Sequence, residues 1–104
     1  MIVYAPRTHN IKVVSGIGVA FEYESVDESG DPVNFPSNTD ASLQVIEGAR
    51  VVVEYVGVVT NNIVTFDINS ESTYPVPGAY MHRSFVTYPS GEKEFLAEGS
   101  FVVE

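Results

Sequence analysis

The sequence predicts an all-β fold, an antiparallel sandwich of about seven short strands. Three observations carry this. No stretch repeats its apolar residues at the spacing of an amphipathic helix. Val, Ile, Thr, Tyr and Phe gather in short runs, with Gly, Pro, Asn, Asp and Ser collected between them. The chain closes on "VPGAYMHRSFVTYPSGEKEFLAEGSFVV", two long strand-like runs joined by a tight polar turn.

The first strand is expected in "GIGVAFEYESV". Ile17, Val19, Phe21 and Tyr23 alternate there with Gly18, Ala20, Glu22 and Glu24, which gives one apolar and one charged face. "DESGDP" ends it in a turn. "VNFPSNTD" then reads as an irregular connection, because Pro36 cannot donate to a ladder. In "ASLQVIEG", Ala41, Leu43 and Val45 share a face, and Gly48 breaks the run. "RVVVEYVGVV" is apolar on both sides, with Val51, Val53 and Tyr55 on one and Val52 and Val56 on the other. Asn61 and Asn62 mark a turn. "IVTFDIN" points Val64, Phe66 and Ile68 inward, and "SESTYPVPG" crosses to the closing hairpin. Gly99, inside the final strand, signals a bulge or a close approach by another backbone. Tyr80, early in the penultimate strand, is placed to bond back to the preceding corner, as in Ig-like sandwiches. Residues 11–104 are therefore read as one Ig-like domain. Residues 1–10, "MIVYAPRTHN", are read as an N-terminal arm that Pro6 keeps extended.

Charge and composition exclude several functions. Five Lys and Arg against 14 Asp and Glu leave a net charge of −9, which opposes direct binding to nucleic acid or to an anionic membrane. With no cysteine, disulfides, thiolate chemistry and cysteine metal sites are excluded. The start of the chain lacks the pattern of a signal peptide. The apolar stretch 51–59 is too short to span a bilayer.

The chemically capable residues form no motif. His9 and His82 are the two histidines, and neither sits in a nucleophile-elbow sequence; catalysis by His82 would need Ser84 or another hydroxyl and a carboxylate gathered around it, and it reads instead as a strand histidine, packed or half exposed. Asp27, Glu28 and Asp31 lack the spacing of a calcium loop and read as a solvated turn. Glu92, Glu94 and Glu98 read as a charged strand edge. Tyr4, Tyr74 and Tyr88 are candidate contact residues near ends or loops. A non-enzymatic protein without metal or cofactor is expected.

With these elements placed, the chain resembles the Ig-like modules of tailed-phage virion proteins: upper-baseplate N-terminal domains and related tail, fibre and head-attachment modules. The resemblance runs from Ile11 to Val103. It is carried by Gly30-Asp31-Pro32-Val33, by Pro77-Gly78 with Tyr80, and by Gly91, Gly99, Phe101 and Val103. It implies a structural subunit present in many copies in the virion, made in the host cytoplasm and bound to other virion proteins as a tail or baseplate adaptor, head decoration or fibre anchor. A carbohydrate- or receptor-binding module is the alternative; the absence of Trp weakens it. The surfaces expected to meet a partner are Ile2, Val3 and Tyr4 in the arm and Val52 and Val56 on the outer side of their strand.

Overall fold

A computed structural model of the chain describes the backbone of residues 3–5 and all of residues 8–104. Eight strands follow one another: β1 Val3–Ala5, β2 Ile11–Val13, β3 Val19–Val26, β4 Asp40–Glu47, β5 Arg50–Thr60, β6 Ile63–Ile68, β7 Gly78–Thr87 and β8 Lys93–Val103. They pair in the order β1-β3-β6-β5-β4-β7-β8-β2, a ribbon that folds over to form two layers. The expected all-β sandwich is present. Among the described strands the pairings are antiparallel except that of β2, which runs parallel to β8 with Ile11 opposite Phe101.

Strand β5 serves both layers. Residues 50–57 pair with β4, and residues 58–60 pair with β6 through the Asn61–Asn62 turn. Asn61 has φ 55°, a left-handed conformation that asparagine tolerates better than most residues. Gly57 lies at the changeover, where an added Cβ would stand 2.9 Å from the Phe66 ring.

The core fills the space between the layers. Tyr23 from β3 and Val64, Phe66 and Ile68 from β6 face Ala41, Leu43 and Val45 from β4 and Phe101 and Val103 from β8. These are the inward sets that period-two alternation predicts for β3, β4 and β6. Phe21, Val53 and Tyr80 pack at the margin of the same core. Tyr80 donates its hydroxyl to the Val76 carbonyl at 2.5 Å, the expected bond back to the corner.

Three details differ from the sequence reading. Ile17 is not the first inward residue of β3, because Ile17 and Gly18 both donate to the Val14 carbonyl, close a turn and leave Ile17 exposed. Residues 3–5 of the expected free arm run as an edge strand along β3, Tyr4 opposite Ser25. Val52 does not share an outer face with Val56. A bulge between Val45 and Ile46 sets Val53 opposite Val45 and Val51 opposite Ile46, so Val52 is the extra residue and packs against the core.

Candidate functional site: an open sheet face over a buried histidine ring

The second sheet turns one face to solvent. Its outward residues form rows across β5, β4, β7 and β8. One row reads Val56, Ser42, Phe85, Phe95; the next reads Glu54, Gln44, Arg83, Glu98; the third reads Val51, Ile46, Met81, Ser100. Two apolar rows thus flank a polar one. Val56 is 79% exposed, Met81 57% and Phe95 55%. The polar row is a fixed ladder in which Arg83 Nε donates to Gln44 Oε1 at 2.9 Å and Gln44 Nε2 donates to Glu54 Oε2 at 2.7 Å. At one end Phe95 stands edge-on to Phe85, ring centroids 6.0 Å apart, and the Lys93 ammonium lies 5.0 Å from the Phe85 ring. A second bulge, between Ser84 and Phe85, makes Leu96 the extra residue of β8. Beside it is a shallow pocket of about 280 Å³ lined by Arg83, Phe95, Leu96, Ala97 and Glu98.

Behind this face, on the inward side of β7, lies a polar cluster. His82 is 1% exposed. Its Nε2 is 2.5 Å from the His9 carbonyl oxygen, which can only accept, so Nε2 carries the proton. The neutral ring then offers Nδ1 as acceptor to Ser84 Oγ at 3.4 Å. The Tyr23 hydroxyl lies 2.8 Å from His9 Nδ1. Two side-chain pairs, His9–Tyr23 and His82–Ser84, are thus joined through the bond from His82 to the His9 carbonyl. Burial lowers the pKa of His82 and His9 below 6.5, the ordinary histidine value, so both are neutral at pH 7. For His82 the His9 carbonyl and Glu98 pull the other way, and the His9 ring adds to the lowering. Burial raises the Tyr23 phenol, and the nearby Ser84 hydroxyl partly offsets this.

The cluster depends on a close approach. The His9 N–H donates to the Glu98 carbonyl at 3.0 Å, Thr8 bridges Glu98, and Asn10 Oδ1 accepts from the Ser100 N–H at 3.1 Å. A Cβ on Gly99 would lie 2.5 Å from the His9 carbonyl oxygen, so a glycine is required where residues 8–10 cross β8.

Of the residues singled out from sequence, Val56 lies on the open face and Val52 does not. Val3 and Tyr4 belong to β1, and Ile2 lies outside the described residues. Asp27 is a turn cap, its carboxylate accepting from the N–H groups of Ser29 and Asp31. Tyr74 donates to the Asn69 carbonyl, and Tyr88 bonds to the Glu94 carboxylate. Phe95, Met81 and the Glu54–Arg83 ladder were not singled out, although the alternation of β7 places Met81, Arg83 and Phe85 together. Among the described residues no three His, Asp or Glu side chains converge as a metal site.

Such a molecule is an all-β sandwich with one open, patterned face. Its fold is similar to that of CopC from Methylosinus trichosporium OB3b, with a TM-score of 0.53 and 14% identity over 100% of this chain and 92% of that one. No family model and no curated protein matches the chain. The expected role as a phage virion subunit is corrected: the fold is similar to that of CopC, which is not a phage module.

Proposed function

We propose that this chain is a non-catalytic binding domain that docks a partner protein on the outer face of its second sheet. The row pattern carries the reading: exposed Val56, Met81 and Phe95 flank a polar ladder already fixed by its own hydrogen bonds. Covering apolar area contributes about 25 cal/mol per Å² removed from water. A ladder held in place before contact loses little side-chain freedom on binding.

A second copy is a poor occupant. Turning the face about a two-fold axis along the strands brings Glu54 over Glu98, and each copy carries a net charge of −9. The partner that fits has an apolar patch with Lys or Arg opposite Glu54 and Glu98 and a carboxylate opposite Arg83. The acidic surface of the domain speeds encounter with such a basic face.

Catalysis does not suit the cluster behind the face, where Ser84 and His82 are closed off from any substrate. Nor is the cluster a ready metal site: both ring nitrogens of His82 and Nδ1 of His9 are engaged within the protein. The test is site-specific photo-crosslinking in the source cells from position 95 and, as a control, from position 22 on the first sheet. We expect one discrete protein adduct from position 95 and none from position 22. The purified partner should then bind at least about tenfold more weakly to Met81→Asp, because a buried unpaired charge is costly, and more weakly in added salt. Equal labelling from both positions, no adduct from position 95, or unchanged affinity of Met81→Asp sinks the proposal.

A further inference from the structure

We infer that the first half of β8, Lys93–Ala97, is an open strand edge that takes up an extended, basic segment of a partner protein as a further strand of the second sheet. This rests on the open face being a partner's dock, and assigns part of that contact to backbone pairing. The direction of the backbone groups follows from the hairpin. The Tyr88 N–H donates to the Glu92 carbonyl at 2.8 Å, so Glu92 is turned towards β7. Antiparallel pairing alternates, so Glu94 opposite Val86 faces β7 too, and Lys93 and Phe95 turn their N–H and carbonyl groups away from it. Glu98 is likewise turned outward, since its carbonyl accepts from the His9 N–H. The spacing from Phe95 to Glu98 is odd where alternation demands an even one, and the residue that makes it so is Leu96, the bulge.

The N-terminal segment covers that edge only in part. Strand β2 pairs with Phe101–Val103, and residues 8–10 hold Glu98 and Ser100. Nearer the hairpin, β1 lies along β3 instead, with Tyr4 opposite Ser25. Among the described residues no strand pairs with β8 on that side before Glu98. Outward N–H and carbonyl groups at alternate residues are met together by one kind of ligand, an extended polypeptide.

Charge decides which polypeptide. Glu92, Glu94 and Glu98 stand against Lys93 in this stretch, within a chain of net charge −9. Edge-to-edge pairing with a second copy would set these carboxylates against their own kind. A basic strand is attracted instead. The edge also runs into the open face. Phe95 is 55% exposed and belongs to both, and the pocket of about 280 Å³ has Phe95, Leu96, Ala97 and Glu98 of this edge in its wall. A segment residue opposite Phe95 directs its side chain to the same side as that ring. A lysine or arginine there lays its stem on Phe95 and its charge towards Glu98, which forms no ion pair among the described residues.

Amide hydrogen exchange on the whole chain tests this with a defined probe, a terminally blocked peptide of alternating valine and lysine about eight residues long. At about ten times its dissociation constant, the Lys93 and Phe95 amides should exchange about tenfold more slowly. The same peptide with glutamate for lysine should protect them less at equal concentration. Lys93→Pro removes an outward N–H that β7 does not use, at the first residue of a strand, where proline is tolerated. It should bind the lysine peptide at least about threefold more weakly than Lys93→Gln, which loses the same charge and keeps the N–H. No protection of Lys93 and Phe95 by the lysine peptide overturns the proposal, as does equal protection by the glutamate peptide or equal binding by Lys93→Pro and Lys93→Gln. Should Lys93→Pro fail to fold, the two peptides on the wild type decide alone. The peptide has no surface with which to cover Val56 and Met81, so these failures strike the strand contact and leave the open face to its own test by Met81→Asp.

Discussion

Phe66 sits at the centre of the core, fully buried, with the rings of Phe21 and Tyr23 at 5.7 and 6.2 Å and the backbone of Gly57 against its edge. A glycine on one side and aromatic rings on the other leave little that can move into a void. Phe66→Ala should therefore cost about 3–5 kcal/mol, read as a lowered denaturant midpoint at unchanged slope. At this scale the sequence was informative wherever a residue type has one physical use. Gly99 inside a strand pointed to a close backbone approach, and His9 occupies that space. Tyr80 pointed to a corner bond, and Val76 accepts it. The histidine cluster was not legible. Its members come from positions 9, 23, 82 and 84, and no local spacing links residues that only the crossing of the N-terminal segment over β8 brings together.

Strands β4 and β6 were legible because strict alternation fixes which side chains face inward. Strand β5 was not, since a bulge inserts a residue without leaving a mark in a run of valines. Its two neighbouring candidates therefore separate. Val52→Asp puts a carboxylate against the core and should cost about 2–4 kcal/mol of stability. Val56→Asp puts one on an exposed face and should change the melting free energy by no more than about 0.5 kcal/mol. Equal losses in thermal unfolding would return Val52 to the outer face and remove the bulge. Strand β1 is not legible as a strand, because three residues beside Pro6 display no periodicity; its pairing is visible only once β3 stands beside it. In β7, inward His82 and Ser84 concealed the alternation that puts Met81 and Phe85 on the open face.

The β-sandwich followed from composition and turn spacing alone, since both report how short apolar runs must bury themselves. Function did not follow, because glycine and proline turn motifs specify backbone geometry and carry no information about what a face binds. The similarity to CopC is likewise one of fold. A native copper site would show itself as a stabilised fold. Cu(II) at about a hundred times its dissociation constant contributes about 2.7 kcal/mol, on the order of 10 °C in melting temperature for a domain of this size. With both nitrogens of His82 and Nδ1 of His9 engaged internally, differential scanning calorimetry should give the same melting temperature with and without excess Cu(II). A rise of that order would place a metal on this chain.

The parallel pairing of β2 with β8 has a mechanical consequence. Tension applied between residue 11 and residue 103 pulls the start of one strand against the end of its parallel neighbour. The ladder from Ile11–Phe101 to Val13–Val103 is then loaded along its length, so its hydrogen bonds share the force and must yield together rather than one at a time. The Lys12–Glu104 ion pair and the bonds between Val13, Ser15 and Glu104 lie along the same line. Under load the molecule resists as a riveted lap joint does, in shear, with a rupture rate set by the barrier to sliding rather than by equilibrium stability.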